Sequence, residues 1–276
     1  MLGAARSARL ANIRLHPIKG LDPVSVPQAR IGRNGGLHLD RVWVLFTVEG
    51  KWINGKNNPE IHRIRAEYDP ELSTVTLRVE DAAMIGSFVR RGAPSNAIEL
   101  AFPEELERAA AWFSGYFGRT VLVRHIPEGA PDDGLASGPT IVSSASLQSV
   151  CDLFPGMALD QARERFRTTL EIDGVPAFWE DQLFGADENY AVRFRIGEVA
   201  FEGSNPCARC PVPPRNPRTG EELIGFQKKY SHKRCSELPP TSPRQRFDHF
   251  YRLATNTRVP SSEEGKVLRV GDALVL

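Results

Sequence analysis

Alternation of apolar and polar positions dominates the first hundred residues and predicts short β-strands. Ala8 to Leu15 alternates in part and stops at Pro17, and Val24 to Ile31 follows. Val42 to Val48, the turn Glu49-Gly50 and Lys51 to Ile53 read as a hairpin. Leu72 to Val79 sets Val75, Leu77 and Val79 against Thr74, Thr76 and Arg78, and Ala97 to Phe102 closes the series. Pro103 then opens a helix that Gly118 ends. Glu104, Glu105 and Glu107 suit the positive end of its dipole, and Leu106, Ala110, Trp112, Phe113, Tyr116 and Phe117 give it an apolar face. Thr120 to His125 is a further strand. Residues 126–138 are rich in Pro, Asp and Gly, so they read as a loop and place a domain boundary there.

The second half is mixed. Thr140 to Val142 predicts a strand, and Ser144 to Leu153 and Leu159 to Phe166 predict helices. Thr168 to Ile172 is a strand, and Ala191 to Ile196 and Val199 to Glu202 are strands turning at Gly197. Phe247, Phe250, Tyr251 and Leu253 have the spacing of a packed amphipathic helix. Leu268 to Val270 and Ala273 to Leu276 read as a closing strand pair around Gly271-Asp272. The expectation is a β-rich α+β protein: a barrel-like domain over residues 1–125, then a mixed, barrel-containing domain over 126–276.

Composition narrows the function. The 276 residues are 41% apolar and 25% charged, as in ordinary globular proteins. The formal charge of +1, from 35 basic and 34 acidic residues, favours no nucleic-acid partner. No apolar run approaches a membrane span, and residues 1–9 lack an apolar block suited to secretion. No membrane association and a cytoplasmic location are therefore expected. Four cysteines in so long a chain are no disulfide scaffold.

The cysteines point to chemistry instead. In Asn205-Pro206-Cys207-Ala208-Arg209-Cys210-Pro211 the prolines restrict the backbone, and Arg209 favours thiolate over thiol. Three readings compete. A thioredoxin-like dithiol needs a helix that Pro211, Pro213 and Pro214 forbid. Cys207-x2-Cys210 with His232-x2-Cys235 has the spacing of a structural zinc site. The third is a single-cysteine ligand to a metal cofactor, with the second cysteine nearby. Ser143, Ser144 and Ser146 mark either an anion site at a helix start or a plain cap.

Several ordered motifs resemble the MOSC family, named after the C-terminal domain of molybdenum cofactor sulfurase and including the mitochondrial amidoxime-reducing component and its bacterial relatives. They are His16-Pro17-Ile18-Lys19, Leu39-Asp40-Arg41-Val42-Trp43, Phe166-Arg167, Trp179-Glu180-Asp181, the C-x-R-C stretch, Asn216-Pro217-Arg218-Thr219-Gly220 and the terminal Val270-Gly271-Asp272. The resemblance implies molybdenum cofactor (Mo-molybdopterin) binding, with Cys210 as metal ligand and catalytic residue. It further implies that Lys19, Arg41 and Arg167 contact the pterin or its phosphate, with Thr169, Cys207, Arg209 and the three serines in the same site. The chain departs from the pattern at Gly20, where the family often has Ser, and at Thr168-Thr169, where reductases have Pro-Asn.

The function so implied is an oxidoreductase that reduces N-oxygenated small molecules. With four cysteines in all, no intrinsic iron–sulfur cluster is expected, so a separate electron-donor protein is. The alternatives are a sulfur carrier, with a persulfide on Cys210 or Cys207, and a zinc-stabilised binding module. Some family members are fused to a pyridoxal-phosphate desulfurase domain, and this chain has no room for one.

Overall fold

The computed structural model describes residues 8–80, 95–131 and 136–276. The expected N-terminal residues 1–7 and part of the 126–138 loop lie outside these. Partial alternation in Arg9–Leu15 becomes β1, whose Leu10, Ile13 and Leu15 are buried. Val24–Val26 and Gln28–Arg30 are β2 and β3, two short strands where one run was expected. Trp43–Thr47 and Trp52–Ile53 form the expected hairpin, β4 and β5. Ile64–Tyr68, Thr74–Val79 and Ala97–Ala101 are β6, β7 and β8, an antiparallel sheet of their own. Sequence reading missed β6, because Arg65 interrupts its apolar run; the guanidinium is buried by pairing with Asp22 at 3.1 Å.

Helix α1 (Leu106–Phe117) ends on Gly118, whose φ of 65° is the left-handed cap that glycine adopts without a steric cost. Its Trp112, Phe113 and Tyr116 fill a core with Leu45, Ile61, Val75, Leu77 and Leu100. Val121–His125, β9, pairs with β4. Then follow β10 (Ile141–Ser143), α2 (Ser144–Leu153), α3 (Leu159–Phe166), β11 (Leu170–Asp173), β12 (Val192–Ile196) and β13 (Val199–Ala208). The chain closes with α4 (Phe226–Ser236), β14 (Arg252–Arg258), β15 (Val267–Arg269) and β16 (Leu274–Val275). The protein is thus a β-rich α+β fold with four α-helices among the described residues.

The main sheet has eight strands in the order β16-β12-β13-β14-β10-β11-β1-β2. No closed barrel is found among the described sheets. The Arg9–Ala273 bridge and backbone hydrogen bonds from Leu10 to Asp272 O, Gly271 to Leu10 O and Leu274 to Ala8 O, at 2.7–2.8 Å, tie the region before β16 back to β1. Since β1 belongs to this sheet and its core, a cut between residues 125 and 126 passes through shared structure. The expected terminal strand pair is also corrected: β15 pairs with β3 and β16 with β12.

The larger correction is β14. The expected helix around Phe247–Leu253 is instead a 3-10 turn at Arg244–Arg246 followed by a central strand. Thr255 and Thr257 are fully buried there, and their hydroxyls donate to Glu180 O at 2.6 Å and Pro139 O at 2.7 Å. β-branched residues held this way favour the pleated sheet over a helix. This strand pairs along β13, which runs six residues beyond its expected end and carries Cys207.

Gly203 is the tightest point of that strand. A Cβ there would lie 1.6 Å from the Leu183 carbonyl oxygen, a backbone atom that no rotamer change can move. We expect Gly203→Ala to destabilise the fold by about 3 kcal/mol. The measurement is the urea midpoint at constant m-value; an unchanged midpoint would contradict the packing described.

Candidate functional site

A cavity of about 400 Å³ opens where loops from both halves of the chain meet, within the usual range for small-molecule sites. Its lining brings together Lys19, Arg41, Arg167, Thr169, Cys207, Arg209 and Cys210, residues separated by up to 191 positions in sequence (210 − 19). Six cationic side chains face it, Lys56 and Arg165 being the other two, against the acids Asp40 and Glu128. That imbalance suits an anionic ligand.

The end of α3 organises one wall. Helix C-termini leave carbonyls without amide partners and carry partial negative charge. Here the Phe166 carbonyl accepts from the Arg209 guanidinium, and the Arg167 carbonyl from Arg41 Nη2 at 3.3 Å. Arg167 caps the helix with φ of 51°, and its own Nη2 donates to Leu21 O at 2.8 Å. Arg41 has φ of 57° and pairs with Asp40. Left-handed backbone at two non-glycine residues costs energy, so packing must hold both there. Burial raises the Asp40 carboxyl's pKa, but Arg41 and His16 override this and leave it below the ordinary carboxylate value.

Lys19 donates to the Ala130 carbonyl at 2.7 Å and lies 4.7 Å from the Trp52 ring centre. The departure at Gly20 has a backbone reason: φ is 99°, and a Cβ would approach Ile61 Cδ1 to 3.0 Å. Thr169 is buried, and its amide donates to the Thr140 hydroxyl at 3.1 Å.

The cysteines sit at the end of β13 and just beyond it. Arg209 Nη1 donates to Cys207 Sγ at 3.0 Å, while its amide bonds Tyr251 O at 3.0 Å. Burial works against the Arg209 charge, but Cys207 and Cys210 outweigh it and raise the guanidinium's pKa. The turn after Cys210 is fixed by Arg165, whose Nη1 donates to the carbonyls of Pro213, Pro214 and Arg215 at 2.7–2.9 Å. Prolines lack amide donors, so a buried guanidinium satisfies what a turn would otherwise leave exposed.

Two sequence expectations find no support here. The three serines do not line the cavity. Ser143 caps α2 by accepting from the Ser146 amide at 3.1 Å, Ser144 donates to Glu171 Oε1 at 2.7 Å, and Ser146 accepts from the Phe178 amide at 2.6 Å. Their hydroxyls are consumed by local structure. The zinc spacing likewise does not close. His232 and Cys235 lie on α4, outside the cavity lining, and the described residues contain no group of three or more His, Cys, Asp or Glu side chains able to hold a metal ion.

Sequence reading missed His62, Arg165, Asn34, Asn54 and Asn205, all in the lining. Arg165 had a signal, lying one residue before Phe166-Arg167. Asn256 also lines the cavity, whereas Thr257 is core and Arg258 is exposed.

Residues 7–120 match the MOSC N-terminal beta barrel domain. Molybdenum cofactor sulfurase of Drosophila grimshawi is 26% identical over 77% of the chain, and that of Danio rerio 23% identical over 74%. The chain spans under a third of either relative, 29% and 28% of their lengths. A YUAD protein structure from Bacillus subtilis covers 97% of the chain and 94% of its own at 11% identity and a TM-score of 0.38. The chain is thus similar to the MOSC N-terminal domain over residues 7–120 and to molybdenum cofactor sulfurases over about three quarters of its length.

Two buried histidines make stability pH-dependent. Burial first, then Arg167, pushes His16 down to about 3; burial, then Arg167, Arg215, Arg65 and Arg165, pushes His62 down to about 4. Both titrate near 6.5 when unfolded, so the unfolded chain takes up protons first as pH falls. Their contribution is complete above that value and is lost toward pH 3–4, at about 1.4 kcal/mol per pH unit for each histidine. Glu180, raised to about 7 by burial and then Asp181, acts in the opposite sense, so the informative quantity is a difference between variants. From pH 7 to 5, wild-type stability should fall more steeply than that of His16→Gln in urea titrations. Parallel curves would contradict a neutral buried imidazole.

Proposed function

We infer that the chain binds the molybdenum cofactor in this cavity, with Cys210 as the protein's thiolate ligand. The observation that carries this reading is the convergence of Lys19, Arg41 and Arg167 with Cys210 in one cationic cavity. The residues fit the group. A phosphate-bearing pterin needs fixed cations and polar donors, and a soft metal centre needs a thiolate. Lys19, Arg41 and Arg167 would hold the phosphate and pterin; Thr169, Asn205 and Asn256 offer polar contacts along the wall. When bound, the cofactor supplies two-electron and oxygen-transfer chemistry.

The protein's own part is to orient and to tune. Arg209 holds Cys207 beside the metal ligand and anchors it to the α3 terminus. Arg165 fixes the turn that follows Cys210. Residues 126–276 act in this reading as the MOSC domain proper. The activity is reduction of N-oxygenated small molecules, with electrons from a separate donor protein. A sulfur-carrier role is the second reading. It is favoured by the relatives named as molybdenum cofactor sulfurases and by the Arg209–Cys207 contact, which places a guanidinium 3.0 Å from a sulfur that could carry a persulfide.

Replacing Cys210 by Ser exchanges a soft thiolate for a hydroxyl that stays protonated near neutral pH. We expect Cys210→Ser to lose the metal while keeping the fold and much of the pterin, and Cys207→Ser to lose far less metal. Lys19→Ala should weaken pterin retention roughly ten- to a hundredfold, for a lost charged contact of about 1.5–3 kcal/mol. Molybdenum, pterin and melting temperature are read for all three. Equal metal loss in the two cysteine variants, or undiminished pterin in Lys19→Ala, counts against the assignment. Labile persulfide without either metal or pterin would favour the sulfur carrier.

A further inference from the structure

His62 belongs to no motif, yet it is built into the cavity wall. It lies in the 3-10 turn Pro59–Arg63, is 6% exposed, and its Nε2 is buried without a hydrogen-bond partner. Leaving a buried polar nitrogen unpaired costs about 1–3 kcal/mol, so such an atom at a cavity calls for a ligand. The turn is held from behind: the Arg65 guanidinium bonds the His62 carbonyl and also Pro217 O at 3.0 Å, and Arg63 Nε bonds Thr219 O at 3.0 Å.

The space over this nitrogen is kept open by Gly55. A Cβ at Gly55 would sit 2.7 Å from His62 Nε2 and 3.4 Å from Val212 Cγ2. Gly55 has no need of positive φ, so backbone conformation does not demand glycine there. What the missing side chain leaves is unfilled space beside the buried Nε2, next to the cavity that Gly55, His62 and Val212 all line. The charges that bear on the imidazole are the guanidiniums of Arg167, Arg215, Arg65 and Arg165. Arg165 also lines the cavity, and its Nε is buried without a partner. An imidazole held neutral among cations donates from Nε2–H to an oxygen that those same cations attract.

We propose that His62, reached across Gly55, is a binding residue for an anionic oxygen, of the phosphoryl or small-oxyanion class, on the ligand that fills this cavity. The inference concerns the same site as the cofactor reading but does not require the cofactor, since it rests on His62, Gly55 and the surrounding cations.

The test uses the full chain, labelled with 15N-histidine, and inorganic phosphate as probe. The His62 resonances are identified by their absence in His62→Gln. Phosphate should shift them saturably in the wild type. His62→Leu should bind phosphate at least tenfold more weakly, and His62→Gln, which keeps a donor, should recover part of that loss. Gly55→Ala retains the imidazole but covers Nε2, and should also weaken phosphate at least tenfold while leaving the melting temperature within a few degrees. Unshifted His62 resonances, or wild-type affinity in both His62→Leu and Gly55→Ala, would overturn the proposal. A chain that retains no pterin but shows the phosphate response would keep this proposal and remove the cofactor reading; pterin retained with silent His62 resonances would do the reverse.

Discussion

The last turn of α3 leaves carbonyl groups that no amide of the helix can reach, and the candidate site is arranged around how they are satisfied. Arg209 reaches the Phe166 carbonyl from the cysteine loop, and Arg41 reaches the Arg167 carbonyl from the segment before β4. Arg167 itself reaches back to Leu21 in the first segment. Three stretches far apart in sequence are thereby fixed to one helix end, where the partial negative charge favours the cations. The two left-handed residues, Arg41 and Arg167, sit at this junction, and the contacts made by their side chains offset the strain of their backbones.

The same junction sets the electrostatics of the cavity. Cations are held there by neutral carbonyl dipoles more than by acids: Lys19 by Ala130, Arg165 by three carbonyls of the proline-rich turn, Arg167 by Leu21. Carbonyl partners satisfy the donors without cancelling the charge, so a net positive field remains for a ligand. Burial first, and that field second, keeps His16 and His62 neutral. Arg41 also pairs with Asp40, and Arg209 bonds Cys207 Sγ as well as the Phe166 carbonyl. Its position couples the thiol pair to the helix end, and a sulfur placed at the rim of a cationic cavity is suited to binding a metal that bears an anionic cofactor.

Much of this was legible in the sequence where local rules act alone. The Val75–Leu77–Val79 alternation, the Glu49-Gly50 hairpin and the Gly118 helix stop each follow from neighbouring residues. Cys210, Lys19, Arg41 and Arg167 were legible through the order of short motifs, and the cavity gathers all four. Illegible were the features set by distant contacts. β14 looked helical because its flanking aromatics have helical spacing, yet Thr255 and Thr257 lie in the sheet with their hydroxyls bonded to the Glu180 and Pro139 carbonyls. The serines looked like an anion site because hydroxyls at a helix start serve caps and ligands alike, and here the cap and Glu171 take them. His62 had no signal at all, since a lone histidine gains meaning from what surrounds it, here Gly55 and four guanidiniums.

The central claim is that this cavity holds the molybdenum cofactor. The most direct measurement is the metal and pterin content of the wild-type chain, purified from a host that synthesises the cofactor. The account predicts molybdenum and pterin in equal amounts, approaching one of each per chain and released together on denaturation. Protein that carries neither, or that carries stoichiometric zinc instead, would contradict it.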